Sequence, residues 1–452
     1  MVDQSSRTAR FSFIILLSTV SLTTISCSRF TSIFYNQKKP QALQRDTLTL
    51  SGELRSWIDY ADYKENGVIK LATVEFLPSM DSVLVQVPDA AGLEVAALKQ
   101  PRKLYLPSGF SAEVYAWNLG KPSGLVLRDD GTLFVSDIEG GRILAIPKGG
   151  SPTIIADGLA TPHGMEFVDG SLYYTDETHV YRFDFSSPTS IEGTSTQLTD
   201  GIKKGGDFYT RTIRYRPSDN SFYISVGATN ANGEERDRDH AIILRMKKEG
   251  ERPKRLFKVG LRNTMGMDIH PVTGDVWGID QGMDDLAEQL APEEVNILTG
   301  EHSAQYYGHP YYYSQNYRNP KFSDYKDTDP RLPENPKAPV IELQPYSLPT
   351  DMRFYTNDAL GPEWKNAMII VYKGYVISAV SRPNELRTGF KVVRVRSNND
   401  GTDPYQADFI SGWIDEKGDF WGRPVGITWS KEGKTFFVSD EKNSVVYKFV
   451  AP

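Results

Sequence analysis

One structural unit recurs along most of this chain. Each copy begins with a turn containing Pro or Gly, continues through a short apolar strand and a Gly, Asp or Asn turn, and ends in further strands rich in Phe, Tyr, Trp and Val. The copies occupy residues 121–146, 161–183, 211–226, 263–278, 349–396 and 423–449. Repeated short strands of this kind are typical of propeller blades. The sequence therefore predicts an all-β fold, a six-bladed β-propeller with long insertions.

The last copy reaches the end of the chain after only three strands. A propeller has to close its ring, because an exposed strand edge pairs readily with other chains. We therefore expect a segment from before the first copy to supply the fourth strand, and Phe110–Ala116 has the right length and alternation. Its predicted partner is Val445–Val450. The alternative, an open array of hairpins, would leave large apolar faces in water.

The N-terminal end has the layout of a secretory signal peptide. Arg7 and Arg10 precede an apolar run over residues 11–20, which is too short for a transmembrane helix. The single cysteine of the chain, Cys27, ends the stretch Thr24-Ile-Ser-Cys, which is similar to a bacterial lipobox. We expect an exported lipoprotein, lipidated at Cys27 and held on the periplasmic or cell-surface face of a bacterial membrane. The alternative is an ordinary signal peptide with an incidental cysteine.

These patterns divide the chain into three regions. The predicted regions are a signal peptide over residues 1–26, a tether and small accessory region over 27–103, and the propeller over 104–452. The accessory region shows no clean repeat of apolar residues, so its role is not predicted. A single cysteine excludes an intramolecular disulfide, and packing therefore has to stabilise the strands.

The charge of the chain argues against a nucleic-acid partner. The sequence contains 51 Lys and Arg residues against 58 Asp and Glu residues, for a formal net charge of -7. It has no dense block of Lys and Arg that could neutralise a run of phosphates. We therefore expect no binding to nucleic acid.

Several motifs follow one another in a fixed order through the repeats. They are Leu106–Tyr115, Gly260–Met267, Gly274–Asp285, Pro292–Asn296, Tyr307–Tyr311, Tyr372–Gly374, Gly389–Arg394 and Trp421–Gly426. No single motif is specific, but the ordered set closely resembles the glucose/sorbosone dehydrogenase family. The resemblance spans residues 104–452 and implies a six-bladed propeller that oxidises a sugar with pyrroloquinoline quinone (PQQ).

The resemblance also implies which residues bind the cofactor. PQQ carries three carboxylates and an ortho-quinone, so its pocket needs cations, preferably the planar fork of Arg. The matching positions are Arg262, Lys373 and Arg423, which lie in three different repeats, and Asn263, which would donate an amide hydrogen bond to a quinone oxygen. The alternative for each cation is a solvated surface charge.

A Ca²⁺ ion is implied in the same way, through the main-chain carbonyls of Gly282 and Met283. Hard cations prefer oxygen ligands of this kind. The neighbouring Asp284 and Asp285 would favour a cation, although they are equally typical of a polar turn. Six-bladed lactonases use a different arrangement, with direct carboxylate and Asn ligands, and that reading stays open.

The sequence departs from the family at the catalytic base. Family enzymes place a His a few residues before an Arg at the start of the third blade, whereas this chain has Gly-Gly-Asp-Phe-Tyr-Thr-Arg over residues 205–211. Asp207 or Phe208 occupies the position, and a carboxylate can serve as a base when burial strengthens it. His163 is the second candidate base. Its alternative role is that of a hydrogen-bonded histidine in a blade turn.

We therefore predict PQQ-dependent oxidation of a sugar or sugar aldehyde by a lipid-anchored exported propeller. The expected partners are a small-molecule substrate, the membrane surface through the lipid anchor, and an electron acceptor at the membrane. Two alternatives remain. The missing His favours a non-catalytic propeller lipoprotein that acts as a binding or scaffold module, and the lactonase arrangement favours a metal-dependent hydrolase.

Overall fold

The computed structural model describes residues 72–75, 77, 79–87, 92, 96–284, 291–301, 306–377, 386–415 and 417–452. All of them belong to the compact unit formed by residues 40–452. Cys27, the predicted signal peptide over residues 1–26 and Asp285 lie outside the described residues. Within the described part of the chain, no helix is long and apolar enough to cross a membrane.

The first described strands precede the propeller repeats. They are β1 (Thr73–Val74), β2 (Met80–Val85), β3 (Arg102–Pro107) and β4 (Ser111–Ala116), with a short 3-10 turn at Ala96–Lys99. Strands β2 and β3 pair antiparallel. Strand β3 crosses from the predicted accessory region into the predicted propeller region, and the division of the chain at residue 104 stays a prediction.

Each of the first three blades is a four-stranded antiparallel sheet. Blade 1 contains β5 (Pro122–Leu127), β6 (Leu133–Asp137), β7 (Arg142–Ile146) and β8 (Thr153–Ala156). Blade 2 contains β9 (Met165–Val168), β10 (Ser171–Thr175), β11 (Val180–Phe185) and β12 (Gly193–Thr199). Blade 3 contains β13 (Ile213–Arg216), β14 (Ser221–Val226), β15 (Ile242–Lys247) and β16 (Lys254–Val259), with a 3-10 turn at Pro217–Asp219.

The last three blades carry the long insertions. Blade 4 contains β17 (Thr264–Ile269), β18 (Val276–Asp280), β19 (Glu293–Ile297) and β22 (Ile341–Leu343), and its insertion holds β20 (Tyr312–Tyr313), β21 (Tyr317–Arg318) and a 3-10 turn at Pro320–Phe322. Blade 5 contains β23 (Pro349–Tyr355), β24 (Ala367–Tyr372), β27 (Lys391–Arg396) and β28 (Tyr405–Ile410), interrupted by the hairpin of β25 (Tyr375–Ile377) and β26 (Leu386–Thr388). Blade 6 contains β29 (Pro424–Trp429), β30 (Thr435–Asp440) and β31 (Val445–Val450) together with β4.

The ring closes as the sequence predicts. Strand β4 pairs antiparallel with β31, with Val446 opposite Ala116 and Val450 opposite Ser111. The first strands of the blades also contact one another in a closed circuit, from β5 through β9, β13, β17, β23 and β29 back to β5. The predicted all-β, six-bladed β-propeller is therefore confirmed.

Close packing of the inner strands explains the glycines near the strand starts of blades 1 and 6. A Cβ atom on Gly124 would lie 2.2 Å from the backbone oxygen of His163 in blade 2. A Cβ atom on Gly426 would lie 2.3 Å from the backbone oxygen of Ser123 in blade 1. Any side chain at these positions would push neighbouring blades apart, and the blades therefore meet backbone to backbone at the centre.

Apolar side chains fill the spaces between neighbouring blades. Trp277 of blade 4 and Phe354 of blade 5 meet edge to face with ring centroids 5.7 Å apart. Phe134 of blade 1 and Leu172 of blade 2 are fully buried in one cluster. Because each blade is covered on both faces, its strands carry few of the polar, outward-facing positions that a half-exposed sheet would show.

The residues before the propeller add to blade 5. Strand β1 pairs parallel with β28, with Thr73 opposite Tyr405. Glu75 then forms ion pairs with Arg394 and Arg396 of β27. The short β1 segment therefore covers an edge of blade 5 that would otherwise present unpaired backbone groups.

Candidate functional site

An aspartate at the end of a blade's second strand holds the start of the inner strand. In blade 6, Asp440 Oδ1 accepts a hydrogen bond of 2.9 Å from the backbone N–H of Arg423. In blade 4, Asp280 accepts hydrogen bonds from the backbone N–H groups of Arg262 at 2.6 Å and Asn263 at 2.8 Å. Burial raises the pKa of Asp280 to about 6, although these N–H groups favour its ionised form. This repeated contact fixes where the two Arg side chains leave the backbone.

The same contact in blade 1 places a cation that the sequence interpretation did not single out. Asp137 Oδ1 accepts a hydrogen bond of 2.9 Å from the backbone N–H of Lys121. Lys121 therefore stands in blade 1 where Arg423 stands in blade 6. A comparison of the repeats could have identified Lys121. The same motif occurs in both blades, as Lys121-Pro-Ser-Gly and as Arg423-Pro-Val-Gly, with one cation replaced by another.

Two of the predicted cofactor-binding residues meet at one carboxylate. Lys373 Nζ lies 2.8 Å from Glu441 Oε1, and Arg423 Nη1 lies 3.4 Å from the same oxygen. Arg423 Nη2 also donates to the backbone oxygen of Gly374 at 3.0 Å. Burial lowers the pKa of Lys373, and the Glu441 carboxylate opposes that shift. Lys373 and Arg423 therefore form one site and are not separate surface charges.

Lys121 lies close enough to join this pair. The charge of Glu441 helps to raise the pKa of Lys121, although the main cause is its hydrogen bond of 2.8 Å to Glu139. The positive charge of Lys121 in turn lowers the pKa of Lys373. We call Lys121, Lys373 and Arg423 the cation cluster. Lys373 and Arg423 contact the Glu441 carboxylate, and Lys121 adds a third positive charge nearby, so the cluster can accept further anionic oxygen atoms.

One donor of the cation cluster has no acceptor. Arg423 Nε is buried and makes no hydrogen bond to any residue that the structure describes. A buried N–H without a partner is costly, and most such groups in proteins are paired. The cluster therefore has the chemistry of a site for a ligand carboxylate.

Arg262, the third predicted cation, is held firmly by its own surroundings. Its Nε donates to the backbone oxygen of Ala231 at 2.8 Å, and its Nη1 donates to the backbone oxygen of Gly282 at 2.9 Å. Its Nη2 donates to Asp284 Oδ1 at 2.8 Å. The guanidinium also lies over the ring of Phe208, 5.0 Å from its centre. Two N–H groups remain after these contacts, because a guanidinium carries five.

One of the two amide N–H groups of Asn263 is already hydrogen-bonded. Its Nδ2 donates to Gln281 Oε1 at 2.8 Å, and Gln281 Nε2 donates to the backbone oxygen of Pro349 at 2.8 Å. The amide retains a second N–H, since an Asn side chain has two. The contacts of Gln281 hold the Asn263 amide against the start of blade 5.

The predicted calcium ligands, Gly282 and Met283, already have other hydrogen-bonding partners. The Gly282 carbonyl already accepts from Arg262, so a divalent cation there would face a guanidinium. Met283 is buried, and its sulfur accepts a hydrogen bond of 3.3 Å from Asn319 Nδ2. Among the residues that the structure describes, no three His, Cys, Asp or Glu side chains come together as a metal site. Ca²⁺ therefore fits this arrangement less well than a carboxylate fits the cation cluster.

Asp207 and Arg262 both form hydrogen bonds with the backbone of Ala231. Its Oδ2 accepts a hydrogen bond of 2.8 Å from the backbone N–H of Ala231, the residue whose backbone oxygen accepts from Arg262. The side chain is exposed, so the burial that would strengthen a carboxylate base is not found here. The structure thus brings the 205–211 segment to the site and places Phe208, not an imidazole, against Arg262.

His163, the second candidate base, lies buried in the turn before β9. It is buried, and its Nδ1 lies 2.8 Å from Ser123 Oγ, so it has the contacts of a hydrogen-bonded turn histidine. Burial lowers the pKa of His163 to about 4, and nearby Asp351 opposes the shift while Arg214 and Lys373 add to it. The role of His163 as a base stays a prediction, and the group would be a weak base at neutral pH.

The inner strands also carry a buried cluster of charged side chains. Arg214 Nη2 donates to Asp351 Oδ1 at 3.2 Å, and Arg214 Nη1 lies 3.6 Å from Glu166 Oε2. Arg353 Nη1 also lies 3.6 Å from Glu166 Oε2. Asp268 accepts from the backbone N–H of Phe354 at 2.7 Å. These charges connect blades 2, 3, 4 and 5 at the centre of the ring.

A family model described as TrAA12-like matches residues 104–448. The chain belongs to the TrAA12-like family. The match begins where the predicted propeller begins and includes the cation cluster, Arg262 and the 205–211 segment.

Solved structures share the fold of this TrAA12-like protein at low sequence identity. The PQQ domain of a pyranose dehydrogenase from Coprinopsis cinerea is 18% identical, covers 81% of this chain and 100% of its own, and has a TM-score of 0.60. An AA12-family carbohydrate-active enzyme from Trichoderma reesei is 18% identical, with coverage of 80% and 100% and a TM-score of 0.61. An aldose sugar dehydrogenase from Streptomyces coelicolor, solved with PQQ bound, is 16% identical, with coverage of 76% and 99% and a TM-score of 0.51.

A curated relative extends the similarity beyond the TrAA12-like match. An uncharacterised protein of Borreliella burgdorferi is 22% identical over 395 residues, which cover 82% of this chain and 97% of that protein. The TrAA12-like match over residues 104–448 confirms the family resemblance read from the motifs. The similar structures also include proteins named glucose dehydrogenase, which share the fold.

Proposed function

We propose that this TrAA12-like protein oxidises a sugar or sugar aldehyde with PQQ as its cofactor. The observation that carries the proposal is the cation cluster, in which Lys373 and Arg423 contact Glu441 while Arg423 Nε has no acceptor among the described residues. A ligand that carries several carboxylates fits these donors, and PQQ carries three. The structures from Coprinopsis cinerea and Streptomyces coelicolor, both named with PQQ, support this choice.

Each side chain has a distinct part in the proposed reaction. PQQ, when bound, supplies the two-electron acceptor. The cation cluster binds the carboxylates, and Arg262 and Asn263 offer their remaining N–H groups to the quinone oxygens. Asp207 is our candidate for the group that takes the proton of the substrate hydroxyl, at the Oδ1 that is not engaged by Ala231.

Ca²⁺ would be a second bound group at this site. A Trichoderma reesei structure named with calcium supports it, as does the predicted use of the Gly282 and Met283 carbonyls. Binding at Gly282 would require Arg262 Nη1 to release the carbonyl that it now contacts. We therefore derive no step of the reaction from a metal ion.

The anchor at Cys27 and the location on a bacterial membrane are also proposals, and they rest on the sequence of residues 1–27. A lipidated Cys27 would hold the propeller near a membrane electron acceptor. Cys27→Ser should release the protein from membranes, and mass spectrometry of the mature N-terminus should show acylation in the wild type. Unchanged membrane association in the variant would contradict the anchor.

One observation favours a second function, that of a binding module without turnover. Phe208 packs its ring against Arg262 in the segment where family enzymes carry the catalytic His. The phenyl ring of Phe208 has no basic atom and cannot accept a proton from a hydroxyl group. The pocket would then bind its ligand and leave it unchanged.

A direct experiment separates these functions. Purified protein without cofactor is incubated with PQQ, with and without Ca²⁺, and its absorbance is recorded before and after addition of aldoses. A bound quinone spectrum that aldoses bleach supports the oxidation. A bound spectrum that no aldose bleaches supports the binding module. Absence of binding together with metal-dependent lactone hydrolysis supports the hydrolase.

A further inference from the structure

One buried carboxylate joins the two halves of the proposed pocket. Glu293, at the start of β19, is 2% exposed. Its Oε2 accepts a hydrogen bond of 2.8 Å from the backbone N–H of Gly282 in blade 4. Its Oε1 accepts one of 2.9 Å from the backbone N–H of Leu348, just before blade 5. The two oxygens of one side chain therefore hold two segments that are far apart in the sequence.

Each of these segments leads directly to a predicted cofactor-binding cation. On one side, the carbonyl of Gly282 accepts from Arg262 Nη1 at 2.9 Å. On the other side, the carbonyl of Leu348 accepts from the backbone N–H of Lys373 at 3.0 Å. The backbone oxygen of Gly374, the next residue, accepts from Arg423 at 3.0 Å. A continuous path of hydrogen bonds thus runs from Arg262 through Glu293 to the cation cluster.

Stability alone does not account for a carboxylate at this position. Burying a carboxylate costs free energy, and a well-packed apolar residue at such a site is often as stable. A Glu side chain is long enough to accept two backbone N–H groups at once, which no apolar residue can do. Its effect is to fix the distance between the Gly282 and Leu348 segments.

We propose that Glu293 is a positioning residue that sets the spacing between Arg262 and the cation cluster, so that both can bind one PQQ molecule. This inference rests on the proposed function, because it assumes that the two groups of cations share a ligand. The hydrogen bonds of Glu293 go to backbone N–H groups and not to Arg262 or to the cation cluster. It acts through the backbone of Gly282 and Leu348.

The neighbouring residue provides a matched control. Glu294 follows Glu293 in β19 and points to the opposite face of the sheet, as alternate residues of a strand do. It is also buried, and its Oε1 accepts from the backbone N–H of Ser314 at 2.7 Å. Burial raises the pKa of Glu294 well above its ordinary value. Glu294→Gln therefore alters a buried carboxyl group of the same strand without touching the path between the cations.

The test compares wild type, Glu293→Gln and Glu294→Gln. PQQ affinity is measured from the absorbance of the bound quinone, and hydrogen exchange of the Gly282 and Leu348 segments is measured without ligand. In Glu293→Gln the amide NH₂ faces one of the two backbone N–H groups and cannot accept from it. We expect about a tenfold loss of PQQ affinity and faster exchange in at least one of the two segments. Glu294→Gln should match the wild type in both measurements.

Failure of the positioning role and failure of PQQ binding would give different results. Wild-type affinity in Glu293→Gln, or an equal loss in both variants, would overturn the positioning role while leaving the proposed function intact. Wild-type protein that does not bind PQQ at all would overturn the proposed function and this inference with it. Faster exchange in Glu293→Gln without a change in PQQ affinity would show a purely structural contact, which also contradicts the proposal.

Discussion

Lys373 Nζ and Arg423 Nη1 contact the same oxygen atom, Glu441 Oε1, at 2.8 and 3.4 Å, although 50 positions separate the two cations along the chain (423 − 373). Lys373 follows the second strand of blade 5, and Arg423 precedes the inner strand of blade 6. Their meeting point is where a ligand with several carboxylates would replace or join the Glu441 carboxylate.

The first prediction concerns how much each cation of the cluster contributes to PQQ affinity. Arg423→Ala removes charge-assisted hydrogen bonds to a ligand carboxylate that are worth roughly 1.5–3 kcal/mol, so PQQ affinity should fall by about one to two decades. Lys121→Ala should lower it by about tenfold, because Lys is a point charge without the Arg fork. Quinone titration followed by absorbance measures both effects.

A suitable control is Lys448→Ala, since Lys448 pairs with Glu113 on the outer strands of blade 6. Its PQQ affinity should equal that of the wild type. If Lys121→Ala also matched the wild type, Lys121 would not belong to the pocket, and the correspondence between blades 1 and 6 would concern the backbone alone.

The second prediction separates the two candidate bases. Asp207→Asn should leave PQQ affinity within about twofold and lower turnover at least tenfold, because an amide cannot accept the hydroxyl proton. His163→Gln should change turnover much less, since His163 is buried against Ser123. Steady-state kinetics with an aldose that bleaches the bound quinone provides the measurement. Full activity in Asp207→Asn with loss of activity in His163→Gln would assign the base to His163.

The third prediction addresses an inactive wild type. If the protein binds PQQ but oxidises no sugar, Phe208→His should create activity, because the imidazole would lie beside Arg262 where the phenyl ring lies now. Phe208→Leu serves as the control, since it removes the ring without supplying a base. Activity in both variants would point to relief of steric blocking instead of base catalysis.

The fourth prediction follows from the pKa of His163, which burial lowers to about 4 from an ordinary value of 6.5. The native state holds a neutral His163, so this group stabilises the fold above pH 6.5 and the contribution is lost as the pH falls towards 4. The unfolding free energy of the wild type should therefore drop relative to His163→Gln by up to about 3 kcal/mol between pH 7.5 and pH 4. Urea unfolding at several pH values tests this, and a constant difference would contradict it.

The fifth prediction concerns the ionic cluster at the centre of the ring. Asp351→Ala leaves the buried Arg214 without its nearest carboxylate, and breaking such a pair typically costs 3–5 kcal/mol, so a loss of about that size is expected. Glu113→Ala, which breaks the surface pair with Lys448, should cost about 1 kcal/mol or less. Thermal and urea unfolding compare the two. Similar small losses would mean that water or a shifted side chain compensates Arg214.

The repeat pattern was sufficient to predict the fold. Alternation of apolar residues, with a turn residue between strands, depends on neighbours in the sequence, and the three-stranded last copy already required Phe110–Ala116 to close the ring. Strand β4 over Ser111–Ala116 confirms this pairing. The sequence also predicted Arg262, Lys373 and Arg423 near the axis, because the starts of inner strands and the loops beside them gather there in a propeller, and the structure brings Lys373 and Arg423 to one carboxylate.

Contacts between side chains of different blades depended on the tertiary structure. The position of Glu441 between two cations, and of Glu293 between Gly282 and Leu348, follows from the angle and distance between blades, which no local pattern encodes. The addition of β1 to blade 5 has the same cause, since a two-residue strand carries almost no signal of its own. What the sequence determined by itself were the strands and their order, because backbone pairing repeats with a short period; the three-dimensional packing decided which charges share a site.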